Sequence, residues 1–390
     1  MKKRLLFVIT QFYKGGAETS LLNLFKLLDS DKYEVDFIIL DQEVYQDATS
    51  LIGQIPEWIE TYNVIADAPK DRLVKRYIRK IYRRLFHTET YRKAAADFVK
   101  DKHYDAAFSF GEWLSPEFVA KKVKAKSKYV WIHIDIDKAD FVNCRELIKY
   151  NDYMTGYVFA SKNSMKGALV RCPQMKGKTA IVHNFLNYED ILKKSEEKIC
   201  SEANKIPYLL SVGNLRIEKN YLRQVEVMKQ LCERQIPIRW LCIGSTVNEV
   251  IYRLVKEKIL EYHLENKFIL CGADENPYRY MKNAEAVMVL SDYESWSLVI
   301  TEAKILGVPV IATNTSGAQE QIIDGETGII AEFDVLDITD KIECFLKDQE
   351  LQQKIRKNLK NEIYRFRENG LKEFEALLGY EDEEKNSIHH

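Results

Sequence analysis

Short apolar runs of four to seven residues recur along the chain, separated by longer stretches in which apolar positions return every third or fourth residue. Runs of that length suit strands buried on both faces of a sheet, and the longer spacing suits amphipathic helices. In the first half the pattern predicts strands over residues 4–10, 35–40, 106–110, 129–133, 156–160 and 179–182, with helices over 17–28, 70–100, 116–124 and 162–170. Residues 193–205 are polar and charged, break this rhythm and read as a linker. The rhythm restarts with strands over 208–212, 239–243, 267–270, 286–290 and 308–312 and helices over 220–234 and 249–262; past Asp334 it is wholly helical. Such alternation predicts an α/β protein with two doubly wound, Rossmann-like domains, 1–190 and 205–350, each on a parallel sheet. Ligands of these sheets bind outside the carboxyl ends of the strands, which places the expected site in a cleft between the domains.

Composition agrees with this picture: 390 residues, 46% hydrophobic and 30% charged, are ordinary for globular domains of this size. The net charge of −1 hides an asymmetry, because residues 1–190 carry 31 Lys and Arg against 25 Asp and Glu, and the remainder 27 against 34. The first half is therefore the expected partner of an anionic surface or acceptor. Seven cysteines lie dispersed without a CxxC pair, which argues for a reducing compartment and against a disulfide scaffold. With no secretory leader and no apolar stretch of membrane-spanning length visible, the expected location is cytoplasmic.

The candidate chemistry concentrates in SDYESWSLVITEAKILG, from Ser291 to Gly307. A polar turn there leads into a helix whose first amides lack intrahelical partners and suit an anion such as a diphosphate. Glu294 in the turn and Glu302 in the helix flank that anion site as acceptors for hydroxyl groups. Glu302 shares a face with Leu298 and Leu306, which predicts a half-buried carboxylate in need of donors. One turn thus combines the features that a nucleotide-sugar requires.

Other candidates follow strands as well. In SVGNLRIEKN, Lys219 at a helix start brings a cation toward phosphates, while Arg216 either joins it or is a solvated loop charge. In QFYKGGAE, Gly15 and Gly16 either let the backbone approach a phosphate or make an ordinary strand-to-helix turn; the spacing is not the dinucleotide fingerprint. His133 ends the strand in VWIHIDID and points toward the cleft, and the DxD of Asp135 and Asp137 reads as loop charge. No His and Cys cluster has zinc-ligand spacing. Gly317 in NTSGAQEQ permits a close backbone approach. The stretch KDRLVKRYIRKIYRR, from Lys70 to Arg84, is basic and amphipathic, and suits either an anionic membrane surface or a crossover helix with a solvated basic face. KKVKAKSK, from Lys121 to Lys128, adds cationic surface. A nucleic-acid partner is not expected, for want of overall basicity and of a reading motif.

Together these residues resemble the retaining glycosyltransferases of the GT-B fold, family 4 (glycosyltransferase group 1), most strongly from Ser211 to Gly328. The most specific part is the E-x7-E pair, Glu294 and Glu302 in ESWSLVITEA. The resemblance implies that Glu294 contacts the transferred sugar and Glu302 the ribose, while Ser295, Trp296, Ser297 and Leu298 between them bind the donor. It also matches Lys219 to a phosphate-binding lysine, Gly15 and Gly16 to an N-terminal glycine loop, His133 to a histidine near donor sugar and acceptor, and Asn184 to an asparagine closing the first domain. Glu294, Lys219 and His133 are thus the implied catalytic set. Domain 1–190 would bind the acceptor and 205–350 the nucleotide-sugar, with helices over 351–378 crossing back to the first domain.

Two departures stand out. Asn214 occupies a position where the family often has arginine, with Arg216 as the candidate replacement, and serines flank Trp296 where glycines are common. The implied activity is transfer of a sugar, with retention, from a UDP- or GDP-sugar to a glycan or lipid-linked acceptor in polysaccharide synthesis. No metal or other cofactor is implied, because Lys219, Arg216 and helix amides carry the leaving diphosphate. Two competing readings are a nucleotide-sugar epimerase of similar build, which needs no acceptor, and a non-catalytic nucleotide-sugar-binding subunit, which would bind without turnover.

Overall fold

The computed structural model describes residues 2–42, 50–64, 89–139, 142–199, 206–246, 248–362 and 369–379; the stretch from Lys70 to Arg84 and the acidic tail over 381–384 lie outside them. The chain divides into two compact units, Met1–Phe185 with Gly370–His390, and Leu186–Asn369.

The first unit holds β1 (Lys3–Ile9), β2 (Tyr33–Ile39), β3 (Glu60–Asn63), β4 (Tyr104–Phe110), β5 (Ala125–Ile132), β6 (Gly156–Phe159) and β7 (Thr179–Ile181). They form one parallel sheet in the order β3-β2-β1-β4-β5-β6-β7. Successive residues of β1 enter opposite cores: Leu6 and Val8 pack with Val130 and Tyr157, whereas Phe7 and Ile9 pack with Phe25, Phe37 and Trp131. Burial on both faces explains why the run is continuously apolar. The helix Asn369–Leu377 closes the second of these cores, with the Phe374 ring 5.6 Å from that of Phe108. Beside it, Glu373 accepts from the His183 N–H at 2.8 Å.

The second unit holds β8 (Tyr208–Val212), β9 (Arg239–Ile243), β10 (Phe268–Gly272), β11 (Ala286–Val289), β12 (Val310–Thr313) and β13 (Ile329–Ala331), again parallel, in the order β10-β9-β8-β11-β12-β13. Each sheet therefore has a point where the strand order reverses, between β1 and β4 in the first and between β8 and β11 in the second. The crevice at the carboxyl ends of such a strand pair is the characteristic ligand position of doubly wound sheets.

Several expectations need correction. β3 and β13 have four and three residues and carry no apolar run long enough to announce a strand. The supposed linker begins inside the helix Tyr188–Ser195, which Asn187 caps by accepting from the Asp190 N–H at 3.1 Å; its Ile191 is buried. The helix Gln349–Glu362 buries Ile355 and Leu359 in the second unit's core, so the return to the first unit starts at Gly370 instead of residue 351. β5 starts at Ala125, which makes Lys126 and Lys128 strand residues: Lys126 pairs with Asp105 at 2.6 Å and Lys128 donates to the Ala120 carbonyl at 2.8 Å. Cys144 and Cys172 form a disulfide across 28 residues, a bridge that the dispersed spacing of the cysteines did not lead one to expect. Among the described residues no helix is long and apolar enough to cross a membrane.

Candidate active site

At the second sheet's reversal point, the loops after β8 and β11 are tied together. Asn220 has left-handed backbone, φ 44°; its side chain accepts from the Arg223 N–H at 3.1 Å, capping the helix Tyr221–Glu233, and donates to Asp292 at 3.1 Å. The Asp292 N–H donates to the Glu218 carbonyl at 2.8 Å. These bonds bring Lys219 Nζ onto Glu294 Oε1 as an ion pair, and Ser291 Oγ donates to the same oxygen at 2.9 Å. Below the pair lies a recess lined by Ser211, Lys219, Gln224, Ser291, Ser297 and Val299.

The helix Leu298–Ile305 opens at Ser297, whose side chain makes no capping bond. The Ser297 N–H itself is taken by Gln321 Oε1 at 2.9 Å, so the amides that remain for an anion start at Leu298. Gln321 also donates to the Ser297 carbonyl at 2.9 Å and to Thr301 Oγ1 at 2.8 Å, which pins the helix start. Gly317 makes its close approach to this loop and not to open space: its N–H donates to the Glu294 carbonyl at 2.8 Å, and a Cβ there would lie 2.9 Å from the same oxygen. Glu302 is buried at 7% exposure, deeper than the half burial expected, and accepts from the Tyr278 hydroxyl at 3.0 Å. Arg216 is 58% exposed and approaches Glu218 at 4.0 Å. Asn214 accepts from the Ser245 N–H at 3.1 Å and so links the loops after β8 and β9. Trp296 is half-buried and Ser295 buried.

The reversal point of the first sheet gathers a second group. Gly15 and Gly16 lead from β1 into the helix Gly16–Leu27, and the Glu18 carboxylate folds back against Gly15. His133, just past β5, stacks on Trp131 with 6.0 Å between ring centres and lies 4.4 Å from the Phe110 ring. Burial lowers its pKa to about 3, so the imidazole is neutral. The His133 N–H donates to Glu112 Oε2 at 2.9 Å. Glu112 is itself buried, and its Oε1 has no hydrogen-bond partner among the described residues. Burial first, and the Glu18 charge in addition, push its pKa up to about 7, against the pull of the His133 N–H. Asp135 and Asp137 form a turn, with the Asp137 N–H 3.3 Å from Asp135 Oδ1, and no cluster of three metal-type ligands exists among the described residues.

Residues 193–362 match the family description "Glycosyl transferases group 1". That stretch, in the second unit, is similar to the group 1 glycosyl transferases. The N-acetyl-alpha-D-glucosaminyl L-malate synthase of Bacillus anthracis is 24% identical over 67% of this chain and 68% of its own length. An N-acetylgalactosaminyltransferase of Campylobacter jejuni, named for a diphospho-undecaprenol acceptor, is 32% identical over 40% of this chain and only 41% of its own length. HepE of Anabaena, solved with UDP and glucose, superposes with a TM-score of 0.74 at 15% identity, over 96% of this chain and 98% of its own. The fold is thus GT-B, with two Rossmann-like domains, as the resemblance implied.

The matched stretch contains Lys219, Glu294 and Glu302; Gly15, Gly16 and His133 lie outside it, in the other unit. Three polar residues that contact the candidates escaped the sequence reading: Gln321, Tyr278 and Glu112. Only Glu112 carried a usable signal, a carboxylate directly beyond the apolar strand AAFSF, in the position logic that singled out His133.

Proposed function

We propose that the chain is a retaining glycosyltransferase that moves a hexose from a UDP- or GDP-sugar to a glycan or lipid-linked acceptor in cell-surface polysaccharide synthesis, on the cytoplasmic side of a membrane. The observation that carries this reading is the Lys219–Glu294 pair at the reversal point of the second sheet. A cation in that position offsets the charge of a departing diphosphate, and the helix Leu298–Ile305 adds its N-terminal dipole from the same side. Together they supply the positive potential that a metal supplies in other transferases, so this reading needs none. Glu294, already held by Lys219 and Ser291, is suited to accepting hydroxyls of the transferred sugar. Retention follows from attack on the face that the diphosphate leaves, without a protein nucleophile. Glu302 is assigned to the ribose, and His133 with the Gly15–Gly16 turn to the sugar and acceptor side.

The names of the relatives support this assignment: one is an N-acetyl-glucosaminyl L-malate synthase, another an N-acetylgalactosaminyltransferase with diphospho-undecaprenol in its name, and HepE was solved with UDP and glucose. Contact with an anionic membrane through the stretch from Lys70 to Arg84 is part of the proposal and rests on sequence; flotation with anionic liposomes tests it.

The main test is thermal melting of the full chain with a panel of UDP-, GDP- and ADP-sugars. A donor at a hundred times its Kd should stabilise by about 2.7 kcal/mol. No shift with any member of the panel would sink the reading, and conversion of the donor without any acceptor would favour an epimerase.

A further inference from the structure

The carbonyl of Lys219 is an acceptor that the helix after it does not serve. Lys219 ends the turn Ile217–Lys219, where its N–H donates to the Arg216 carbonyl at 3.2 Å. Asn220 follows with left-handed backbone, and its side chain takes the Arg223 N–H at 3.1 Å. By helical i→i+4 spacing that amide would otherwise reach the Lys219 carbonyl. Gln224 Nε2 takes its place, donating to the carbonyl at 2.9 Å. Gln224 is 2% exposed and lines the recess below the Lys219–Glu294 pair. Its Oε1 accepts from Ser211 Oγ at 2.8 Å, and Ser211 Oγ accepts from the Trp240 indole N–H at 2.9 Å. An indole N–H only donates and a backbone carbonyl only accepts, so the two ends fix the direction of every bond between them. Ser211 and Trp240 are buried residues of the paired strands β8 and β9. A buried relay therefore runs from the second sheet to the backbone of Lys219.

The geometry points to Gln224 as the positioning residue that holds the Lys219 backbone where its ammonium meets the terminal phosphate of a nucleoside diphosphate. This rests on the reading of the second unit as a nucleotide-sugar site. Lysine is a point charge on a flexible stem, so the reach of its ammonium depends on where its backbone is held. Without the Gln224 amide the Lys219 carbonyl must find water instead, and the turn moves with it. A displacement of about 1 Å at a charged contact costs much of its effect. The loss falls on the phosphate that Lys219 faces and spares the rest of the nucleotide.

Isothermal titration of the full chain with UDP and UMP, and with GDP and GMP, tests this without turnover. The native chain should prefer the diphosphate of its chosen base, and Lys219→Ala should lose most of that preference. Gln224→Met, which keeps the length of the side chain and removes its donor, should lower the preference about three- to tenfold. Its affinity for the monophosphate should stay within about twofold of native, with melting checked to confirm the fold. In a Lys219→Ala background Gln224→Met should not change the preference further, because it acts through the lysine. Ser211→Ala, which frees the Gln224 side chain to turn away, should act in the same direction by a smaller factor, and carries the test if Gln224→Met does not fold. An unchanged preference, equal weakening of both nucleotides, or an effect that persists without Lys219 overturns the inference while leaving the nucleotide site in place. If the native chain binds neither nucleotide pair, the reading of the site itself fails.

Discussion

Glu112 and His133, just beyond the carboxyl ends of the neighbouring strands β4 and β5, are joined by a hydrogen bond from the His133 N–H to Glu112 Oε2 at 2.9 Å. Burial pulls their titrations in opposite directions. Glu112 rises from 4.5 to about 7, with the Glu18 charge adding to the effect, so its contribution to stability is complete below pH 4.5 and is lost as the pH rises through 7. His133 falls from 6.5 to about 3, so its contribution is complete above pH 6.5 and is lost as the pH falls through 3. Glu112→Gln, which cannot ionise, should match the native protein at pH 4.5 and exceed it at pH 8 by up to roughly 3 kcal/mol in urea unfolding. His133→Gln should flatten the acid limb between pH 6.5 and 4. A Glu112→Gln curve parallel to the native one across this range would mean that Glu112 does not titrate where its surroundings imply.

The comparison of sequence with structure divides along physical lines. β8 and β9 match their predicted bounds because their apolar runs are buried on both faces and stop at polar turns. ETYN of β3 was illegible because its place in the sheet comes from backbone pairing with β2, to which side-chain periodicity contributes nothing. In the candidate site, the positions of Lys219 and Glu294 were legible, since each follows a strand by a short loop. Their direct pairing was not, since it depends on Asn220 and Asp292 locking two loops that lie more than seventy residues apart. Gln321 and Tyr278 are partners through tertiary contact alone, and no local pattern marks them.

The Lys219–Glu294 pair predicts unequal effects on the two halves of the donor. Lys219→Ala should keep its fold, weaken nucleotide-sugar binding by about tenfold and lower transfer by about a hundredfold or more, since a cation at a leaving group acts most strongly in the transition state. Lys219→Arg should recover part of both losses. Glu294→Ala should lower kcat with a smaller effect on the affinity for the nucleoside diphosphate alone. Steady-state kinetics beside calorimetry separate these outcomes. Near-native transfer by either alanine variant would remove the pair from the reaction.

The Cys144–Cys172 bridge ties the short helix Cys144–Ile148 to the end of the helix Lys162–Arg171. Closing a loop of this length in the unfolded chain is worth about 3.6 kcal/mol in the chain-entropy account. Denatured, unreduced protein should show two fewer titratable thiols than reduced protein. Adding a reductant should lower the melting temperature of the native protein, and should not lower that of Cys144→Ser/Cys172→Ser. Equal thiol counts would mean that the bridge does not form in solution.

Gly16 and Gly317 look alike in sequence, each near the start of a helix that follows a strand, yet their surroundings predict opposite consequences of adding a methyl group. At Gly317 a Cβ would lie 2.9 Å from the Glu294 carbonyl oxygen and from the Ser295 backbone, atoms that cannot swing aside. Either the Glu294 loop shifts or the helix Ser316–Gln321 backs away and takes Gln321 from the Ser297 N–H. Gly317→Ala should therefore cost about 1–3 kcal/mol of stability and lower transfer together. At Gly16 nothing lies within 4 Å of the added carbon, so Gly16→Ala should melt like the native protein. If the Gly15–Gly16 turn admits the donor or the acceptor closely, Gly16→Ala should still raise a KM by several-fold. Loss of stability at Gly16, or none at Gly317, would contradict the packing that distinguishes the two turns, and an unchanged KM in Gly16→Ala would return that turn to a purely structural role.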